Sequence, residues 1–191
     1  MHSHHERLQR KIEALENQDR TQKLPADQLL DRLHIKPAAN ILDLGAGTGY
    51  LTLPVADRTA GTVYALDRDE NILAYLSQKA KEQNHHNITP ITGDFTSIPL
   101  GDETVDTTLA SISLHETQQL PDVLKEIHRV LQNDGQFLCL ELEHTSSSSG
   151  PRVSSEQMSS AIMAAGFEIV EQLPLDFRMG GDPAYLIIAR R

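Results

Sequence analysis

The residues best suited to chemistry begin at Asn40-Ile41-Leu42-Asp43-Leu44, an apolar run with one acid inside it, followed by Gly45-Ala46-Gly47-Thr48-Gly49. Glycines at a strand-to-helix turn let the backbone bend tightly and approach a ligand, because no Cβ stands in the way. A nucleotide-like cofactor suits such a loop. The dinucleotide fingerprint G-x-G-x-x-G places its last glycine five residues after the first and aims a helix N-terminus at a pyrophosphate. Here Gly49 comes four residues after Gly45. Asp43 would repel a pyrophosphate but can help hold an ammonium, through the turn or a water. A second acid, Asp67, closes Val63-Tyr64-Ala65-Leu66-Asp67, 18 residues beyond Gly49. A carboxylate at that strand tip can accept both hydroxyls of a ribose; the alternative is a helix cap before Asp69-Glu70-Asn71. His115 and Glu116 are candidates for substrate-side chemistry, since an imidazole can take a proton from a hydroxyl, amine or thiol near neutral pH. Equally, His115 can shape a pocket wall while Glu116 caps the next helix.

These residues need a scaffold, and the hydrophobic pattern supplies one. Leu8, Ile12 and Leu15 recur at helical spacing between His5 and Asn17, and Leu24, Leu29, Leu30 and Leu33 form a second apolar set that ends at Pro37. Strand and helix signals then alternate: strand 40–44, helix 48–58, strand 62–67, helix 70–83, strand 88–92, strand 105–110, helix 119–131 and strand 136–142. Asn133-Asp134-Gly135 reads as the turn before the last of these strands. Such alternation implies parallel strands, right-handed crossovers and a sheet covered on both faces. Residues 143–155, with four consecutive serines and Gly150-Pro151, read as an exposed flexible loop. A short helix near 155–165 and strands near 167–173 and 184–190 complete the chain.

The spacing Asp43-Leu44-Gly45-Ala46-Gly47-Thr48-Gly49 resembles, at every position, the E/D-x-G-x-G-x-G signature of class I S-adenosylmethionine-dependent methyltransferases. That cofactor carries an α-amino group and no phosphate. The resemblance runs from about Ile35 to the C-terminus. It includes Ile91-Thr92-Gly93-Asp94-Phe95 at the adenine position, Asp106 in the fourth strand, the stretch Leu124 to Phe137, and Ala165-Gly166-Phe167. It implies cofactor contacts at Asp43, Gly45, Ala46, Gly47, Gly49, Tyr50, Asp67, Arg68, Asp94, Phe95 and Ser111. Asp94 would take the exocyclic amine of adenine, and Ser111 would flank the methionine part. Asp94 as a turn residue is the alternative.

The implied fold is an α/β, Rossmann-like sheet of seven strands in the order 3-2-1-4-5-7-6, the seventh antiparallel, with helices on both faces. Residues 1–39 would form an N-terminal helical cap and residues 40–191 the cofactor-binding domain. The pocket is then expected to draw its walls from the preface, the loop after the fourth strand and the serine-rich loop, and to admit a small-molecule acceptor for in-line methyl transfer. Leu114-His115-Glu116 is similar to a stretch of short proteins related to ubiquinone and menaquinone C-methyltransferases. A quinone-type C-methyltransferase and a non-catalytic S-adenosylmethionine-binding protein are the alternatives. The Asn/Asp-Pro-Pro-Tyr/Phe motif of amide and adenine N-methyltransferases is absent, and one cysteine, Cys139, argues against arsenite methylation.

Composition narrows the partners. Seventeen Lys and Arg against 27 Asp and Glu give a formal charge of −10 with no basic cluster, which argues against nucleic acid and anionic membrane surfaces. A single cysteine fits a reducing compartment, and no segment approaches the length of an apolar membrane span, so a cytoplasmic monomer or homodimer is expected. Nine histidines, among them His2, His4, His5, His85, His86, His128 and His144, show no ligand spacing, so no metal is expected.

Overall fold

The computed structural model describes residues 4–16 and 18–191; Met1, His2, Ser3 and Asn17, and the side chains of His4, His5, Gln18 and Asp19, lie outside the description. The reading of the opening histidines falls on that part of the chain. Three helices come first: α1 (His4–Leu15), α2 (Gln18–Lys23) and α3 (Ala26–Leu30). The alternating series follows: β1 (Ile41–Leu44), α4 (Thr52–Ala56), β2 (Val63–Asp67), α5 (Glu70–Glu82), β3 (Ile88–Thr92), β4 (Val105–Ser111), α6 (Leu120–Val130), β5 (Leu131–Leu142), α7 (Ser155–Ala164), β6 (Glu168–Met179) and β7 (Asp182–Arg190). The strands form one seven-stranded sheet in the order β3-β2-β1-β4-β5-β7-β6. β1 to β5 are parallel, and β7 runs antiparallel to both of its neighbours. This is the topology the resemblance implies.

β1 is central and buried along its whole length, as a parallel strand covered on both faces must be. One face of the sheet packs on α6 and α7 through residues such as Leu124, Ile127, Met158 and Ile162. Leu24, Leu29, Leu30 and Leu33 join the opposite apolar cluster with Ile41, Val55 and Leu138, so the helical preface shares its core with the sheet.

Three boundaries differ from the hydrophobic pattern, each for a local reason. The helix expected over 48–58 begins only at Thr52, because Gly47 and Gly49 hold positive φ (52° and 95°) and keep the chain out of helical geometry. Asn133-Asp134-Gly135 does not separate α6 from β5. Leu131 already pairs with Val105, the register resumes at Thr107 with Gln136, and the four residues 132–135 bulge out between them. β6 continues past Pro174 to Met179: as the edge strand it tolerates a residue that cannot donate to the ladder, although its register shifts there. Gly180 and Gly181, both at positive φ, then turn the hairpin into β7.

Residues 143–155 are half-buried to exposed, and tethered. Asp182, 2% exposed, accepts from Ser148 Oγ (2.8 Å), Thr145 Oγ1 (3.0 Å) and Arg152 Nε (2.9 Å). The loop is therefore pinned to the start of β7 rather than free.

Candidate cofactor and substrate site

The carboxyl ends of β1 to β4 open into a cavity of about 430 Å3, within the usual range for small-molecule sites. The glycine loop forms its floor. Gly45 lies at φ +75°, where a Cβ would stand 2.6 Å from Ser113 Cβ, and Gly49 lies where one would stand 2.5 Å from Leu76 Cδ1. Close packing thus requires the first and third glycines. A Cβ on Gly47 would touch the Leu15 methyls at 3.7 Å, an ordinary contact, so the middle glycine answers to its positive φ of 52° rather than to close packing.

Four of the loop's five amides are committed inside the protein. Gly45 N and Ala46 N donate to Leu66 O (2.8 and 3.0 Å), Gly49 N to Ala46 O (2.9 Å), and Gly47 N to Asp67 Oδ2 (3.0 Å). A pyrophosphate cradle needs such amides free to point at the anion. This loop instead offers bare glycine surface and carboxylate acceptors, a set suited to hydroxyls, amines and an aromatic base.

The acids stand in order across the sheet edge. Asp94 follows β3, and its Oδ1 accepts from Thr96 N (2.8 Å) and Thr96 Oγ1 (2.6 Å), which hold its carboxyl below the usual carboxylate range. Asp67 ends β2 with one oxygen on Gly47 N and the other on Asp69 N (3.0 Å), leaving each oxygen further acceptor capacity. The cap of α5 is Asp69, whose side chain accepts from Asn71 N and Ile72 N, so the capping alternative for Asp67 is taken by a different residue. Asp43 in β1 is 2% exposed and accepts from Thr52 Oγ1 (2.6 Å); burial pushes its pKa up to about 6, with the Thr52 hydroxyl and nearby Arg20 pulling the other way. Ser111 closes β4.

The cavity brings together Asp43, Gly45, Ala46, Gly47, Tyr50, Asp67, Arg68, Asp94, Phe95, Ser111 and Glu116 from the sequence reading, with Gly49 packed just beneath. Arg68 and Glu116 pair with each other at the rim (3.1 Å), both exposed. Glu116 therefore does not cap α6, whose first turn carries no side-chain cap. His115 stands apart from the lining. Its ring Nδ1 lies 2.8 Å from Oε2 of Glu141, a fully buried residue of β5 whose Oε1 accepts from the backbone amides of Leu114 (2.7 Å) and His115 (3.3 Å).

The preface walls the cavity as expected, through residues that the sequence did not single out for it. Lys11, Ala14 and Leu15 cross the cavity on α1, which is held to α5 by Lys11–Asp69 (2.7 Å) and by Glu16 bonded to Tyr75 (3.0 Å) and Lys79 (2.6 Å). Arg20 reaches in from α2, and Met179 from the tip of the β6–β7 hairpin. The serine-rich loop contributes nothing to the lining, since its hydrogen bonds hold it to Asp182. Among the described residues no group of three or more His, Cys, Asp or Glu side chains is placed to hold a metal, and no helix is long and apolar enough to cross a membrane.

A seven-stranded α/β sheet with a glycine loop and a row of acids along its carboxyl edge places the cavity at the switch point between β1 and β4, where open α/β sheets bind their ligands. Residues 42–139 match the family model described as "Methyltransferase domain", and the chain belongs to that family. Among curated relatives, a demethylmenaquinone methyltransferase of Geobacillus sp. (strain WCH70) is 32% identical over 60% of this chain and 50% of its own length. One from Lactococcus lactis is 35% identical over 55% and 42%. The chain thus spans about half the length of the curated relatives it matches. A crystal structure of an S-adenosylmethionine-dependent methyltransferase from Aquifex aeolicus superposes with a TM-score of 0.83 over 95% of this chain and 97% of that one, at 21% identity. The [4+2]-cyclase SpnF superposes at 0.79 over 87% and 79%, also at 21%, so the shared architecture does not by itself fix a reaction.

Proposed function

We propose that this chain transfers the methyl group of S-adenosylmethionine to a small acceptor admitted between α1, the loop after β4 and the tip of the β6–β7 hairpin. The observation that carries the reading is the glycine loop lining the cavity with four of its five amides spent internally, beside Asp67 and Asp94 with acceptor capacity to spare. When bound, the cofactor supplies a sulfonium-activated methyl group. Asp67 accepts from its ribose hydroxyls, Asp94 takes the adenine amine, and Phe95 meets the ring. Asp43 and Ser111 serve the amino-acid end, and the helices before β1 act as a cap that keeps water out.

The chain's contribution to the transfer is alignment, because an activated methyl group needs a nucleophile held at the right distance and angle more than it needs a base. Held by Glu141, His115 fixes the loop that carries Glu116, Thr117 and Gln119 along the cavity wall. The exposed Arg68–Glu116 pair lies at the entrance.

Transfer of a labelled methyl group from S-adenosylmethionine to a panel of small acceptors tests this. Demethylmenaquinone, named by the relatives, is the first to assay. Time-dependent label in an acceptor, lost in Asp67→Ala, is the expected result. Tight binding of S-adenosylhomocysteine with no transfer to any acceptor would favour a non-catalytic binder.

A further inference from the structure

The backbone is strained at one point of the cavity wall. Ile112, the first residue after β4, lies at φ 54°. The other non-glycine residues at positive φ among those described are Asn84, Glu103 and Asp134. Asn and Asp tolerate that conformation, whereas a β-branched side chain crowds its own backbone there. Hydrogen bonds on both sides hold Ile112 in it: its amide donates to Leu140 O (2.7 Å), Ser113 Oγ to Leu44 O (2.9 Å) and Leu114 N to Glu141 Oε1 (2.7 Å). Strain of this kind persists only where the surroundings over-determine it, and it clusters at functional sites. The side chain so placed is half-buried in the cavity wall. Of the half-buried apolar residues packed on the core beneath the preface, three line the cavity: Tyr50, Ile112 and Met179. One face of the Tyr50 ring is taken by Arg20, whose guanidinium carbon sits 3.8 Å from its centroid. Ile112 and Met179 remain as the free aliphatic surface on that side.

We infer that Ile112, with Met179, selects the acceptor: the two side chains form an apolar subsite for an uncharged hydrocarbon face of that molecule, and the strained backbone at Ile112 is kept because it places this surface. This rests on the cofactor reading above and names what borders the space the cofactor leaves. In the sheet order, Asp94 and Asp67 hold the nucleoside at the β3 and β2 end, so the transferable methyl group falls near the end of β4. Ile112 stands at that end, and Met179 closes the far side from the β6–β7 hairpin. An acceptor atom attacking in line must stand between them. Neither side chain carries a charge or a hydrogen-bond donor, so both discriminate by shape and by apolar burial. Methionine is flexible and adapts to an irregular partner, while a β-branched isoleucine held on both sides keeps one shape. The first accommodates and the second selects.

Fluorescence titration of 1-aminonaphthalene, an apolar probe uncharged at neutral pH, into protein saturated with S-adenosylhomocysteine tests the assignment, alongside thermal unfolding. Wild-type protein is expected to bind the probe at a saturable site. Ile112→Asn removes both the strain and the apolar surface: the probe should bind about 20-fold more weakly or worse, the range of one lost aliphatic contact replaced by a polar group. Its Tm should nevertheless stay level or rise by up to about 4 °C, because Asn adopts the same φ with less strain. Ile112→Val keeps the surface and the strain, so the probe should bind within about fourfold of wild type, with no gain in Tm. Affinity for S-adenosylhomocysteine should stay within about twofold in both variants, which separates an acceptor subsite from a cofactor contact. A side chain that serves the fold alone predicts a Tm lowered by more than about 4 °C in Ile112→Asn, and that result overturns the inference. So do unchanged probe affinity in Ile112→Asn, absence of saturable probe binding to the wild type, and S-adenosylhomocysteine weakened in step with the probe; each of these leaves the cofactor reading standing. Wild-type protein that binds no S-adenosylhomocysteine overturns both.

Discussion

Glu141 separates two roles for His115, and its removal can be worked through from the structure. The carboxylate is fully buried and accepts from Leu114 N, His115 N and the His115 ring. Glu141→Ala leaves the two amides without partners in the interior; at about 1 to 3 kcal/mol each, with about 1 kcal/mol more from the ring, the loss is about 3 to 7 kcal/mol. That is a large part of the roughly 5 to 15 kcal/mol that holds a domain together. Glu141→Gln is gentler. Its amide oxygen can still accept from both backbone amides, but its NH2 group faces Nδ1, so the imidazole must move its proton to Nε2. A cost of about 1 to 2 kcal/mol follows. If His115 anchors the loop, the turnover of Glu141→Gln should fall no more than about threefold while its denaturant midpoint drops modestly. A base acting through the Nε2 lone pair would lose its function with that tautomer, as in serine-protease triads, where the equivalent change costs about 10^4 in turnover. Urea unfolding and methyl-transfer kinetics on the same preparations decide between them. Near wild-type stability with turnover reduced a hundredfold or more would refute the anchoring role.

Asp43 gives a pH signature. Its pKa, raised to about 6 in the folded protein, favours the neutral acid, so its contribution to stability is full below the unfolded value near 4 and is lost as pH rises through about 6, a span of about 3 kcal/mol. The groups facing it are Arg20, the Thr52 hydroxyl and Asp67. An ammonium ligand favours the carboxylate, so S-adenosylhomocysteine should bind about tenfold more weakly at pH 5 than at pH 7.5. Asp43→Asn should flatten that profile, and 5′-methylthioadenosine should show none; a persistent slope in the variant would assign it elsewhere. Gly49→Ala combines a strained φ of +95° with a Cβ pressed to 2.5 Å from Leu76 Cδ1, and should cost about 2 to 4 kcal/mol, or roughly 10 °C in Tm by calorimetry. A fall of under 2 °C would show that the loop relaxes. Asp182→Ala removes the acceptor for Ser148, Thr145 and Arg152 and should raise hydrogen exchange across 144–152 without changing S-adenosylhomocysteine affinity, since that loop lies outside the cavity. Weakened affinity would place the loop in the site.

The sheet was legible because its signals were local: a glycine spacing at the end of β1, acids at the tips of β2 and β3, and alternation throughout. The preface and the loop after β4 were expected as walls and line the cavity, but the individual residues they present were not legible, because tertiary packing brings them in. Arg20 sits in a charge-rich stretch with no apolar period to mark a face, and only its stacking on Tyr50 shows that it is buried. Met179 lies beyond Pro174, which reads as a strand end unless the strand is known to be an edge. Gly180-Gly181, a two-residue hairpin turn, was the signal that could have extended it. Glu141 had a cue of the same kind as Asp43, an acid inside an apolar run between Leu140 and Leu142, and such an acid is paid for by specific donors. The serine-rich loop looked free because composition reports flexibility of the isolated chain and not the buried acceptor at Asp182.

The measurement closest to the central claim is the affinity of S-adenosylhomocysteine for wild-type protein and for Asp67→Ala, by isothermal titration calorimetry at neutral pH. The account predicts one site per chain in the wild type and a loss of about 100-fold or more in the variant, from two hydroxyl contacts to an ionised acceptor. Thermal unfolding serves as the control for the Gly47 N and Asp69 N bonds that are lost with the carboxylate. No binding to the wild type, or equal affinity in a folded Asp67→Ala, would contradict it.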